Sequence, residues 1–290
     1  MKNAPAHAGH GAHYFVPQPS LYPVILSAGM FLLALGFVQT MNDAGPGQWV
    51  MLAGAAVIVY VLFGWFGHVI AESQSGAYRD WEDRSFRYGM IWFIATEVMF
   101  FAAFFGALFY MRVISVPRLG EMMAVHGVTL WPDFAGTWPT SGPQGAPFTP
   151  MGAWGIPALN TALLLSSGAT VTWAHWALLR DRRRQLVAGL AATVLLGAIF
   201  LGFQAYEYHH AYSELGLTMG AGAYGATFFM LTGFHGFHVT LGTVMLAVIL
   251  LRSLAGHFSA ERHFAFEAVA WYWHFVDVVW LILFVFVYWV

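Results

Sequence analysis

Seven times along this chain, apolar residues run for the width of a bilayer, and charged residues collect in the gaps between the runs. A hydrocarbon core about 30 Å thick takes roughly 20 apolar residues as a helix. The stretches that meet this test lie at about 22–40, 49–71, 88–113, 157–179, 186–208, 224–252 and 266–289. Glycines within them, as in "GFHGFHVTLG", are compatible with membrane helices, because small residues let neighbouring helices approach. The pattern predicts an all-α membrane protein: one membrane domain over 1–290, with seven transmembrane helices and one long loop at about 114–156.

Composition sharpens this picture. The chain is 59% hydrophobic and 18% aromatic, with only 9% charged residues, where a soluble domain carries about 25%. The net charge of −2 leaves no basic face for nucleic acid. With no cysteine, disulfides, thiolate zinc, iron–sulfur clusters and a cysteine nucleophile are excluded. The first residues, "MKNAPAHAGHGAHYFVPQPS", are polar, so a cleaved signal peptide is not expected.

Lysine and arginine set the orientation. Ten fall on one side of the seven segments: Lys2, Arg79, Arg84, Arg87, Arg180, Arg182, Arg183, Arg184, Arg252 and Arg262. Two, Arg112 and Arg118, fall on the other. The bias places the N-terminus in the cytoplasm and the C-terminus outside. The 114–156 loop is then external, rich in Pro, Gly and Trp, and reads either as an ordered cap or as a flexible loop.

Ionisable residues within a bilayer are costly, so each is a functional candidate. Glu97, in "FIATEVMFFAAFF", sits roughly 14 Å into the third segment at 1.5 Å per residue. It reads as a proton-carrying or gas-channel carboxyl, or as a neutral acid hydrogen-bonded to a neighbouring helix. His235 and His238, in "GFHGFH", share a helix face at i, i+3, as do His274 and Asp277 in "WYWHFVDVVW". These four suit an interhelical polar network packed by aromatics, a haem or metal site, or a proton path. His68 and Glu72 lie at the inner edge of the second segment, and Arg252 ends the sixth on the same side. They suit a bound phospholipid or ordinary interfacial snorkelling. Glu207, His209 and His210 stand at the outer end of the fifth segment within a tyrosine belt, which favours interfacial hydrogen bonding over metal. There is no phosphate loop, dinucleotide fingerprint, Gly-x-Ser-x-Gly or His-Glu-x-x-His. No self-sufficient enzyme is legible.

Several long motifs occur together and in order: "RYGMIWFIATEVMFF" (87–101), "LNTALLLSSGATVTWAH" (159–175), "QAYEY" (204–208), "YGATFFM" (224–230), "TGFHGFHV" (232–239), "FEA" (266–268) and "WYWHFVDVVW" (271–280). With these the chain, from about Tyr14 to its C-terminus, resembles subunit III of the haem–copper cytochrome c oxidases, of the bacterial type. The related quinol oxidase subunit has five helices, so the two extra N-terminal helices favour the cytochrome c branch.

The resemblance implies a chain with no cofactor of its own and no catalytic centre, in a proton-pumping oxidase of aerobic respiration. Haem and copper belong to the partner subunits. The partners implied are chiefly the catalytic subunit I, with subunit II in the same complex and cytochrome c as electron donor. Helices 1–2 and 3–7 are expected as two bundles around a V-shaped cleft holding phospholipids. Glu97 matches the family's buried carboxylate, and Trp65, Glu72 and Arg252 match cleft-lining positions. The expected role is to stabilise subunit I, hold lipid and support proton uptake, in a bacterial inner membrane with the C-terminus periplasmic. Three features depart from the family. The His-Thr-Pro stretch frequent before the third helix is absent, "WAHW" leaves His175 standing alone, and the 114–156 loop is long. The competing reading is a haem- or metal-binding membrane redox protein ligating through His238 and His274. A third is a proton or ion transporter using Glu97 and Asp277.

Overall fold

The computed structural model describes residues 15–43, 45–121 and 131–289. Lys2, and the 122–130 part of the expected external loop, lie outside the described residues. Among the described residues, seven helices are long and apolar enough to cross a membrane. They are α1 (Tyr22–Met41), α2 (Gly47–Gln74), α3 (Asp80–Phe109), α5 (Ile156–Leu179), α6 (Arg183–Ser213), α7 (Gly222–Leu254) and α8 (Phe264–Leu283). The short α4 (Val116–Glu121) follows α3. Both α3 and α8 are prolonged by one wider π turn, at Tyr110–Ser115 and Phe284–Trp289. All seven expected spans are helical, and the expected 114–156 loop begins inside the α3–α4 continuation.

Local sequence explains the starts. Proline stands in the first turn of α1 and of α5, where its missing N–H is no loss and its fixed φ suits a helix. Three acids, Asp80, Glu82 and Asp83, occupy the first turn of α3 and complement the helix dipole. Glu82 also closes that end, accepting from the Arg79 N–H at 2.9 Å, as the acid of a capping box does. This is why α3 begins eight residues before the apolar run expected at 88.

The chain forms two compact units, Met1–Phe86 and Arg87–Val290. In the first, α1 packs along α2 through four glycines. Gly29 and Gly36 on α1 are seven residues apart, and so are Gly47 and Gly54 on α2. A Cβ on Gly36 would collide with the Met51 backbone, and one on Gly54 with the Leu33 backbone. This is backbone-close packing by small residues. Tyr78 follows α2 and donates to Glu72 Oε2 at 2.6 Å, with Phe15 and Phe86 edge-on to its ring. Burial, then the Glu72 carboxylate, push the Tyr78 phenol well above its usual pKa.

In the second unit α5 packs on α6, α6 on α7, α7 on α8, and α8 returns to α5. Trp273 of α8 lies at the centre and is fully buried. Gly197 and Gly242 leave its slot open, since a Cβ on either would meet the indole at 2.8 Å. The Trp273 Nε1–H donates to Ser167 Oγ at 2.8 Å, and the Trp280 Nε1–H to Thr161 Oγ1 at 2.9 Å. Two donors seven residues apart thus tie α8 to α5. From α3, aromatic side chains reach α7 and α8: Phe93 stacks on Tyr272, Phe100 meets Phe234, and Phe101 meets Phe275. Residues 131–155 carry no helix but pack on the end of the bundle. Phe148 stacks on Tyr224 at 5.1 Å, the Thr149 N–H donates to the Leu215 carbonyl, and Met151 and Ala153 are buried. Gly222, at φ 67°, starts α7 where a Cβ would strike the Ser141 carbonyl. This segment has the character of an ordered cap.

Gly36→Ala is expected to cost about 1–3 kcal/mol through overpacking. Gly67→Ala on α2, where a Cβ meets nothing within 4 Å, should be neutral. The midpoint of detergent-induced unfolding, compared between the two variants, checks this.

Candidate functional site

The polar residues of the second unit separate into distinct contacts. His238 lies on α7 with Nδ1 2.6 Å from the Phe234 carbonyl, one turn back. A carbonyl only accepts, so Nδ1 carries a proton. Nε2 stands 2.8 Å from Glu97 Oε2 on α3. A hydrogen bond there places one proton between imidazole and carboxyl. The contact gives each of two polar groups within the bilayer a partner that lipid would not supply. The rings of Phe101, Phe100 and Phe237 surround the imidazole.

His235 belongs elsewhere. Its Nε2 donates to the Val276 carbonyl of α8 at 3.2 Å, and its ring lies against Trp280 and Phe200. It is almost fully buried. The i, i+3 spacing of His235 and His238 therefore serves two helices, α8 and α3.

His274 and Asp277 face α5. His274 Nε2 is 3.2 Å from Thr172 Oγ1, and Nδ1 is 3.6 Å from Asp277 Oδ2. The carboxyl fits against α5 because residue 168 is glycine, and a Cβ there would collide with Asp277 Oδ2. Asp277 Oδ1 is enclosed without a hydrogen-bond partner. Unlike its neighbours, the His274 side chain is 46% exposed. It opens into a surface groove of about 450 Å³ that Gly168, Thr172, Trp176 and Val278 also line. The four residues expected as one polar seam thus divide three ways: His238 to Glu97, His235 to a backbone carbonyl, and His274 with Asp277 to α5.

In the first unit, His68 Nδ1 lies 3.1 Å from the Gly64 carbonyl and 3.2 Å from the Tyr22 hydroxyl. Tyr22 stacks on Trp65 with ring centroids 6.3 Å apart. Trp65, His68 and the Glu72–Tyr78 pair therefore line one length of α2. In the second unit, Arg252 places its guanidinium 4.6 Å over the Phe258 ring.

Sequence reading missed two groupings. Tyr288 donates to Glu207 Oε1 at 2.6 Å, beside buried Gln204. No motif announces that contact, because it joins α6 to the last turn of the chain. The other gathers Arg87, His175, His263 and Glu267. Arg87 Nη2 is 2.6 Å from Glu267 Oε2, and the His175 and His263 Nε2 atoms each stand 3.9 Å from Glu267 Oε1. The i, i+4 spacing of His263 and Glu267 was the available signal.

A family model described as cytochrome c oxidase subunit III matches residues 11–290. The chain belongs to the cytochrome c oxidase subunit III family. It is 42% identical over 277 residues to the cytochrome c oxidase subunit 3 of Marchantia polymorpha, spanning 95% of this chain and 96% of that one. The subunit 3 of Arabidopsis thaliana is also 42% identical over 277 residues, with the same coverage. That of Cyprinus carpio is 39% identical over 285 residues, 98% of each chain. The chain is thus a multi-pass membrane subunit of cytochrome c oxidase, an oxidoreductase complex, and associates with other subunits of that complex.

Replacing Glu97 measures what its contact with His238 contributes to joining α3 and α7. Glu97→Gln keeps a donor for His238 Nε2 and should change stability by less than about 0.5 kcal/mol. Glu97→Leu should lose about 1–2 kcal/mol by leaving that nitrogen unpaired. Unfolding of each variant by a denaturing detergent, alone and with His238→Leu, measures the coupling.

Proposed function

We propose that this chain is the non-catalytic subunit III of a proton-pumping cytochrome c oxidase, and that residues 1–290 act as one membrane domain. It holds the catalytic subunit I in its working state. Haem and copper lie in the partner subunits, subunit II shares the complex, and cytochrome c delivers electrons to it. The membrane is a bacterial inner membrane, with the N-terminus cytoplasmic and the C-terminus periplasmic. The ten-to-two division of Lys and Arg supports that orientation.

One observation carries the structural role: His274, half exposed at mid-length of α8, beside an Asp277 oxygen without a partner. At roughly 15 Å from the start of α8, lipid tails offer nothing to an imidazole or a carboxyl. A partner helix bearing a hydrogen-bonding side chain would satisfy the exposed imidazole. We assign the α5–α8 groove to contact with subunit I on this ground.

The competing haem or metal reading needs His238 and His274 to converge. Their ring nitrogens turn to different helices, His238 Nε2 to Glu97 on α3 and His274 Nε2 to Thr172 on α5. Glu97 and Asp277, the pair a transporter would use, diverge in the same way.

Phospholipid contact is assigned to two groups, each within its own unit. Trp65, His68 and Glu72 form a polar and aromatic strip on α2, at headgroup depth near its end. Arg252, half buried at the end of α7, offers a guanidinium suited to phosphate. Support of proton uptake is assigned to the arginine-rich face, where His175, His263 and Glu267 lie at helix ends.

Purification through a tag on this chain tests the assignment. A mild, lipid-preserving detergent should bring haem and copper along, and a harsher one should strip both from the chain. Retention of haem or copper by the stripped chain would overturn it. His274→Ala should weaken co-purification of the partners and leave the reduced-minus-oxidised haem spectrum unchanged. Loss of a metal centre in that variant would contradict the structural role.

A further inference from the structure

Three side chains at the arginine-rich end of the second unit converge without touching. His175 lies in the last turns of α5, His263 directly precedes α8, and Glu267 is in the first turn of α8. His175 Nε2 and His263 Nε2 each stand 3.9 Å from Glu267 Oε1. One ligand atom from each residue lies within 4.8 Å of the other two.

These separations are too long for hydrogen bonds. A tetrahedral Zn2+ with bonds of about 2.0–2.1 Å keeps its ligand atoms about 3.4 Å apart. The three atoms need only close by roughly half an ångström to somewhat over one, within the reach of side-chain torsions.

Protonation and orientation also suit a ligand set. His263 Nδ1 is 3.1 Å from the Ser259 carbonyl, so Nδ1 is the protonated nitrogen and Nε2 presents its lone pair. A backbone carbonyl on the far nitrogen is how ligating histidines are commonly oriented. His175 Nε2 is enclosed by protein and has no hydrogen-bond partner, although it points at the carboxylate. Arg87 holds Glu267 by the other oxygen, Oε2, at 2.6 Å, and so leaves Oε1 directed at the two imidazoles. Phe266 packs against the His175 ring at 5.3 Å and His263 meets it edge-on at 5.6 Å. The imidazoles are fixed by their surroundings.

We propose that His175, His263 and Glu267 form a binding site for a divalent transition-metal ion of the zinc class. Two imidazoles and one carboxylate are the donors that such borderline ions favour over Mg2+ or Ca2+. Three protein ligands leave a fourth position for water. The bound ion fastens the end of α5 to the beginning of α8, the two helices that Trp273 and Trp280 already join deeper in the bundle.

The test uses the purified oxidase complex, washed with chelator and titrated with Zn2+. Histidine modification by diethylpyrocarbonate is read residue by residue with mass spectrometry. Zn2+ is expected to protect His175 and His263 together, at one midpoint, and to leave exposed His209 at the far end of α6 unchanged. In Glu267→Gln both histidines remain as reporters, and the midpoint should rise by at least about tenfold, the order of loss that follows damage to a metal's ligand shells. The wild-type protection pattern stands without any variant. Protection of neither histidine, or of only one, overturns the site. So does joint protection with an unshifted midpoint in an assembled Glu267→Gln complex. An intervening water would satisfy the same three atoms and would give the unprotected result.

Discussion

Hydrocarbon supplies no hydrogen bonds, and nearly every feature of this chain follows from that. Backbone donors and acceptors must be paired within each segment, which makes every crossing a helix. The side chains come under the same demand. Ser and Thr hydroxyls on the helices return to carbonyls three or four residues back, as at Thr161, Thr172, Thr227 and Thr240. The indole donors of Trp273 and Trp280 find hydroxyls on α5. With hydrophobic driving force between helices largely gone in lipid, close packing and such tethers are what hold the bundle.

Histidine meets the demand in one recurring way. His68, His238 and His263 each place Nδ1 against the carbonyl four residues earlier. That contact fixes the tautomer and frees Nε2 for a partner on another element. At His238 the partner is Glu97. At His263 it is the space shared with Glu267 and His175. The preceding turn of chain thus does for imidazole what a second coordination shell does at a metal site. It turns a flexible titratable group into an aimed one.

The seven spans were legible because length and apolarity decide them; the glycine pairs 29/36 and 47/54, although at heptad spacing, were not read as a packing face. Which polar residues would meet was not legible. Spacing along one helix shows a shared face, and His235 and His238 do lie close on α7. It does not show that α8 approaches one edge of that face and α3 the other. His274 and Asp277 were readable as neighbours, but the glycine at 168 that admits the carboxyl is more than a hundred residues away. The start of α3 was missed because Glu82 and its cap lie in a charged stretch that hydropathy discounts.

The distribution of satisfied and unsatisfied groups separates what the chain does for itself from what it offers to others. Glu97, His238 and the Nε2 of His235 find partners within the bundle, so their worth is internal, in joining α3 and α8 to α7. His274 is different. It sits on the exposed stripe of α8 with Val278 and Ile282, a face that is apolar apart from this one imidazole. A purely lipid-facing stripe would gain from leucine there and would have no use for a glycine at 168 or a carboxyl behind it. A face built to meet another helix in the bilayer needs what this one has: small residues for approach, and a polar group at depth whose second partner comes from outside. That asymmetry, within one short stretch of α8, is the physical ground on which the proposed contact with a partner subunit rests.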